Sequence, residues 1–175
     1  MEYSKATATQ PDIVRDDHSD ATTDFVPGGN YAGRDLSGID LAGRRLSGAN
    51  FSGATLRDAD LRGVLLDHAN LSGADLSGAN LELAVLGGAN LTDACFRKAN
   101  LNRANLVGVT ATNADFSEIT LYYARPGNGN FENARFVNAS IERAIFRRAN
   151  LRNADMRGAT GQANFENANR EGVKS

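Results

Sequence analysis

The sequence predicts an all-β, single-domain solenoid built from four-edged coils, and three regularities predict it. Large apolar residues recur at every fifth position from Leu36 to Met156, alanine precedes most of them by two, and asparagine and phenylalanine recur at intervals of twenty. Repeats of this kind decide a fold before any other feature does.

Of the 26 positions at this spacing from 36 to 161, 23 are Leu, Phe, Ile or Met; Ala111, Pro126 and Gly161 are the exceptions. Ala fills 19 of the 26 positions lying two residues earlier, so the unit reads Ala-(Asn/Asp)-Leu-(Ser/Arg)-Gly. A period of five suits neither straight element. Leucines five apart on a strand would face opposite sides. On an α-helix, five residues turn through about 500°, which leaves successive leucines about 140° apart around the axis. A single core therefore requires the chain to turn once per repeat. Ala and Leu, two apart, point inward from a short extended edge, and the Ser-Gly or Arg-Gly that follows makes the corner.

The longer period sets the number of edges. Asn stands before the central residue at 50, 70, 90, 130 and 150, with Thr110 in the gap, and Phe96, Phe116 and Phe136 are also twenty apart. Both patterns place like residues above like in coils of four edges, where asparagine ladders and stacked aromatics stabilise strand-over-strand arrays. At about 4.8 Å per coil, about six and a half coils make a rod roughly 30 Å long.

The run ANLSGADLSGANL, residues 69–81, resembles the pentapeptide-repeat family, and the resemblance extends from about Arg34 to Gly161. It implies a right-handed quadrilateral β-helix. Within that frame, residues 1–30 read as a polar N-terminal arm, flexible or capping, residues 31–165 as the β-helix, and residues 166–175 as a polar tail. Ile13, Val14, Phe25 and Val26 are the apolar residues of the arm with which to cover the first coil. After Gly161 the register slips by one, and Phe165 is expected to plug a distorted last edge. At 121–130, LYYARPGNGN, Pro126 replaces a core leucine and Gly129 an inward alanine. Proline cannot donate to the ladder, so this edge is expected to bulge or open into a loop.

Chemistry-bearing patterns are scarce. The lone cysteine, Cys95, excludes an internal disulfide and a cysteine-based metal cluster. Beside Arg97 and Lys98 it has the setting of a reactive thiolate but no histidine partner in the sequence, so it reads as a ladder residue. Asp40, Asp60, Asp75, Asp115 and Asp155 occupy the polar position of the repeat and read as corner residues rather than acid–base pairs, and His68 reads as a surface residue. A bore filled with Leu, Phe and Ala leaves no pocket for convergent groups, so no enzymatic activity, cofactor or metal is expected. The N-terminus lacks the charged and apolar regions of a signal peptide, and no run of about 18 apolar residues exists to span a bilayer. A cytoplasmic protein, monomeric and without membrane contact, is the expectation.

Function then falls to the outer surface. Leu65, Val85 and Ile145 hold the outward position usually taken by Asn or Asp; Leu83 and Val107 lie nearby, and Gly87 and Gly88 leave the adjoining surface bare. An apolar patch on a polar rod marks a contact surface. Tyr122, Tyr123, Arg125 and Pro126 form the second candidate, since aromatics beside a glycine-rich turn are frequent binding elements. Leu65, Leu83, Val85, Val107, Tyr122, Tyr123, Arg125 and Pro126 are accordingly the candidate partner-binding residues of a non-catalytic scaffold. The family resemblance implies an alternative, a DNA mimic that binds DNA gyrase or topoisomerase and inhibits or protects it. Such mimicry needs acidic rows. Here the net charge is −2 overall, residues 1–35 hold seven acids and three bases, and residues 92–175 hold twelve bases against eight acids. Those arginines repel a basic DNA-binding saddle, and no C-terminal dimerising helix is visible. Offset by acids, they also make a solvated surface rather than a nucleic-acid site.

Overall fold

In the computed structural model, which describes residues 24–175, parallel bridges join positions twenty apart, beginning with Asn30 to Asn50, Asp35 to Thr55, Asp40 to Asp60 and Arg45 to Leu65. These four pairs begin the four edges. The first edge carries the central residues Tyr31, Phe51, Leu71, Leu91, Ala111, Phe131 and Leu151, and the second runs from Leu36 to Met156. The third runs from Leu41 to Ile141, and the fourth from Leu46 through Leu66, Leu86, Leu106 and Pro126 to Phe146.

Each repeat is tied to the coil beyond it by the same backbone bonds. Leu41 N–H donates to Asp60 C=O at 2.8 Å, Asp60 N–H returns to Ile39 C=O at 2.9 Å, and Gly43 N–H donates to Arg62 C=O at 2.8 Å. The corner closes within the repeat through Arg44 N–H to Leu41 C=O at 3.1 Å. Its third residue has positive φ at every turn, whether glycine or not, as at Leu83 (61°), Tyr123 (56°) and Arg148 (58°). A turn closed this way with positive φ at its third residue has type II character, where glycine is the easiest occupant.

The inward positions form one continuous column. Leu41, Leu76, Phe96 and Phe146 are among many residues with no measurable exposure, and the alanines between them are as deeply buried. Phe96, Phe116 and Phe136 stack with centroids 5.0 and 5.1 Å apart. Along the first edge, the asparagine ladder is formed side chain to side chain: Asn50 Nδ2 donates to Asn30 at 3.0 Å, Asn70 to Asn50 at 3.2 Å, and Asn150 to Asn130 at 2.9 Å.

At the N-terminal end, Phe25 is buried and its ring lies 4.5 Å from Tyr31, which in turn lies 4.9 Å from Phe51. Val26 is exposed, and Ile13 and Val14 lie outside the described residues. At the C-terminal end the slip is a corner shortened by one residue. Gly161 adopts φ 99°, and a Cβ there would fall 2.6 Å from the Glu142 nitrogen. Beyond it the ladder resumes at an offset of nineteen, pairing Ile145 with Asn164, Asn150 with Asn169 and Asp155 with Lys174. Phe165 stacks on Phe146 at 5.2 Å. Residues 166–175, read from sequence as a tail, therefore continue the bridging as far as Lys174.

The expected bulge at 121–130 is absent. Asn130 N–H still donates to Val109 C=O at 2.8 Å, and Gly129 N–H closes the corner on Pro126 C=O at 3.3 Å. Pro126 sits inside the core, so its ring simply takes the leucine's place. Gly129 replaces alanine because the Phe131 ring fills that space: a Cβ on Gly129 would lie 2.5 Å from Phe131 Cε2.

Two substitutions test this packing. Leu76→Asp buries an unpaired carboxylate in an apolar bore and is expected to cost upward of about 4 kcal/mol; an unchanged melting temperature would contradict the inward assignment of its row. Gly129→Ala is expected to destabilise by about 1–3 kcal/mol through overpacking. Thermal unfolding of Gly129→Ala with Phe131→Leu should recover most of that loss, and no recovery would mean that the Phe131 ring is not the obstacle.

Candidate functional site

The outward position before each central residue usually holds Asn or Asp, and its side chain accepts the N–H two residues on. Asn50 takes Ser52 N–H at 3.1 Å, Asp75 takes Ser77 N–H at 2.9 Å, and Asp60 takes Arg62 N–H at 3.2 Å. The fourth edge departs from this rule. Its outward column reads Arg45, Leu65, Val85, Asn105, Arg125 and Ile145, and of these only Asn105 accepts such a bond, from Val107 at 3.2 Å. Among the described residues, the backbone N–H groups of Asp67, Gly87, Gly127 and Arg147 consequently find no protein acceptor.

The same edge gathers the apolar surface. Leu65 and Val85 bridge directly and are half-buried, as is Val107, while Ile145 is 38% exposed. Leu83, 54% exposed, stands at the corner where the third edge meets the fourth. Tyr123 occupies the same corner two coils on, and its ring meets that of Tyr122 edge-on at 4.5 Å. The Arg143 guanidinium lies 5.2 Å from the Tyr123 centroid and donates to its hydroxyl. Tyr122 N–H is taken by Asn102 Oδ1 at 2.9 Å. The structure thus brings Leu65, Leu83, Val85, Val107, Tyr123 and Arg125 to one side of the rod, with Tyr122 just around the corner.

Pro126 belongs to a different category. It is buried at its core position and, with no bulge at 121–130 to expose it, presents no side chain to a partner, contrary to its place among the candidate partner-binding residues. Its effect is indirect. Leu66 and Leu86 donate to Val85 and Asn105 at 2.7 and 2.8 Å, but Pro126 has no N–H to give Ile145, and no bridge joins Arg125 to Ile145. Ile145 N–H still reaches Ala124 C=O at 3.0 Å, so the coil stays in place. Outside Pro126 lies a shallow depression with Gly127, Val107 and Ile145 at its base and Arg125, Asn128, Arg147 and Arg148 around it. Arg147 pairs with Glu166 at 3.4 Å, whereas Arg125 and Arg148 have no ion pair among the described residues. Sequence reasoning missed Gly127, Arg147 and Arg148, although their numbers already placed them within the fourth edge, beside Arg125 and Ile145.

The remaining chemistry-bearing residues are ladder parts. Cys95 lies in the bridge column between Asp75 and Asp115, with its sulfur 3.2 Å from Ser77 Oγ. His68 sits at an exposed corner against Gly88. Among the described residues, no three His, Cys, Asp or Glu side chains are grouped to hold a metal. Two aspartates are held ionised by an arginine two residues on: Arg62 holds the Asp60 carboxyl below its ordinary range, and Arg157 holds that of Asp155 down to about 2.

The pentapeptide repeats family matches in eight copies, over residues 35–73, 65–103, 99–125 and 130–160. The chain belongs to the pentapeptide-repeat family. Curated protein sequences gave no match. Among solved structures, two trypsin-treated variants of QnrB1, a plasmid-mediated fluoroquinolone resistance protein, share the fold. One has a TM-score of 0.63 at 20% identity over 83% of this chain and 89% of that one. The other has a TM-score of 0.65 at 20% identity over 81% and 86%. HetL of the cyanobacterium Nostoc sp. strain PCC 7120, a pentapeptide-repeat protein involved in heterocyst differentiation regulation, aligns at 28% identity over 85% and 84%, with a TM-score of 0.29. Among the described residues, no helix is long and apolar enough to cross a membrane.

A depressed carboxyl pKa contributes stability that is present above the unfolded value and lost as pH falls through the folded one. Asp155→Asn should therefore lower the melting temperature at neutral pH, by an amount that shrinks between about pH 4 and pH 2. A deficit that is the same at pH 7 and pH 2 would show that the Asp155 charge is not its source.

Proposed function

We propose that the protein is a non-catalytic interaction scaffold that binds a protein partner through its fourth edge and the tyrosine corner beside it. One observation carries this reading: the outward apolar residues Leu65, Val85 and Ile145 stand on the fourth edge at the position where Asn or Asp is usual, with Val107 beside them. A monomeric, right-handed rod of about six and a half coils is the geometry adopted with it, by analogy with the family. An apolar strip flanked by arginines and aromatics has the composition of an interface core and rim.

The DNA-mimic reading receives less support. The likeness to QnrB1 concerns the fold. Outward acids on the second and third edges lie beside arginines, as Asp60 with Arg62, Asp115 with Arg97 and Asp155 with Arg157, and no uninterrupted acidic row results.

Affinity capture with the full chain as bait discriminates between the two. Leu65→Asp with Val85→Asp, and separately Tyr122→Ala with Tyr123→Ala, are expected to reduce recovery of the partner at least tenfold while leaving the melting transition cooperative. Undiminished recovery by both double variants would remove the docking face, and a topoisomerase subunit retained by both would favour mimicry.

A further inference from the structure

We propose that the fourth edge receives an acidic protein segment, whose carboxylates bind the arginines around the depression outside Pro126 and whose aliphatic side chains lie on Leu65, Leu83 and Val85. This rests on the scaffold reading and names the chemistry of the partner. The face changes character along the rod. On the fourth edge and its two corners, residues 61–90 hold Leu65, Leu83 and Val85 with one arginine, Arg62, and two acids, Asp67 and Glu82. The same positions in residues 101–150 hold five arginines, Arg103, Arg125, Arg143, Arg147 and Arg148, against the single acid Glu142. Arg143 and Arg147 reach Glu142 and Glu166 at 3.8 and 3.4 Å. Arg103, Arg125 and Arg148 are exposed and have no ion pair among the described residues.

Charge complementarity chooses the occupant. A guanidinium with no partner of its own engages a carboxylate through two parallel hydrogen bonds. Between these arginines the depression has Val107, Gly127 and Ile145 at its base, so aliphatic groups beside the acids are covered as well. Leu65 and Ile145 stand four coils apart on the same column. At the usual strand spacing that is about 19 Å, a distance about six extended residues cover. A nucleic acid fits this face less well. It carries a charge at every nucleotide and sets nothing aliphatic against Leu65, Leu83 and Val85. One face of the Tyr123 ring, where a base would stack, is also taken by the Arg143 guanidinium, 5.2 Å from the centroid.

The test follows the amide resonances of the full chain by NMR as a synthetic peptide, a leucine pair followed by a run of glutamates, is added. Resonances of Val85, Val107, Gly127 and Ile145 are expected to shift, with Asn50, Asn70 and Asn90 unmoved. Arg103→Glu with Arg125→Glu and Arg148→Glu should weaken this peptide at least tenfold and bind its lysine counterpart instead, at an unchanged melting temperature. Absence of shifts on the fourth edge, or equal binding by the triple variant, would overturn the proposal. So would an oligothymidylate that shifts the same resonances at lower concentration than the peptide. In partner capture the triple variant is expected to lose the partner, as Leu65→Asp with Val85→Asp does. Full recovery by the triple variant alone would overturn this inference and leave the scaffold reading standing, whereas full recovery by both would remove the two together.

Discussion

Everything in this molecule follows from the need to keep one large apolar side chain in five pointing into a common bore. A period of five is incommensurate with both the strand and the helix, so the chain must turn after each repeat. The turn requires positive φ at its third residue, and side chains as large as Leu83, Tyr123 and Arg148 adopt it there. Because the backbone outside the corner bonds is satisfied by pairing with the next coil, each inward residue as far as Gly161 is stacked on its counterpart twenty positions away. The outward positions are then the part of the repeat that the core leaves free to vary.

That freedom is bounded by hydrogen bonding as well as by exposure. Asn and Asp before the central residue take the corner N–H and join their neighbours in ladders, so replacing them has a local cost. The fourth edge forgoes those acceptors at Leu65, Val85, Arg125 and Ile145 and gains an apolar strip, with amides lacking an acceptor and Arg125 lacking an ion pair among the described residues. Departures occur on the other edges too, as at Thr55 and Arg135, but are most frequent on the fourth. Functional sites are where consistency between levels gives way, which supports the proposed surface. Pro126 contributes from beneath, by removing the donor that would otherwise tie its edge to Ile145.

Much of this was legible in the sequence. Leu36 to Met156 announce the core, and Asn50, Asn70 and Asn90 announce the ladder and the number of edges, because both depend only on spacing. The behaviour of 121–130 was not legible. A proline in a ladder usually opens it, but here Ile145 N–H remains bonded to Ala124 and the Pro126 ring fits the bore. Gly129 likewise looked like a defect until the Phe131 ring was seen in the space its Cβ would need. The continuation past Gly161 escaped for a related reason: one shortened corner changes the count from twenty to nineteen, and ENANREGVKS carries little of the apolar beat. The proposed docking face lay in between. Leu65, Val85, Arg125 and Ile145 shared a class modulo twenty, whereas the lack of an acceptor for the Gly127 N–H emerged only from the hydrogen-bond pattern.

The account's central claim is that the fourth edge is the working surface, and its most direct test is hydrogen exchange of the protein alone and bound to its captured partner, resolved by peptide. The account predicts slowed exchange in segments holding Leu65, Val85, Val107, Gly127 and Ile145, recurring at intervals of twenty residues and matching one side of the rod. Slowing centred instead on the asparagine edge, around Asn50, Asn70 and Asn90, would place the partner on a different face and contradict it.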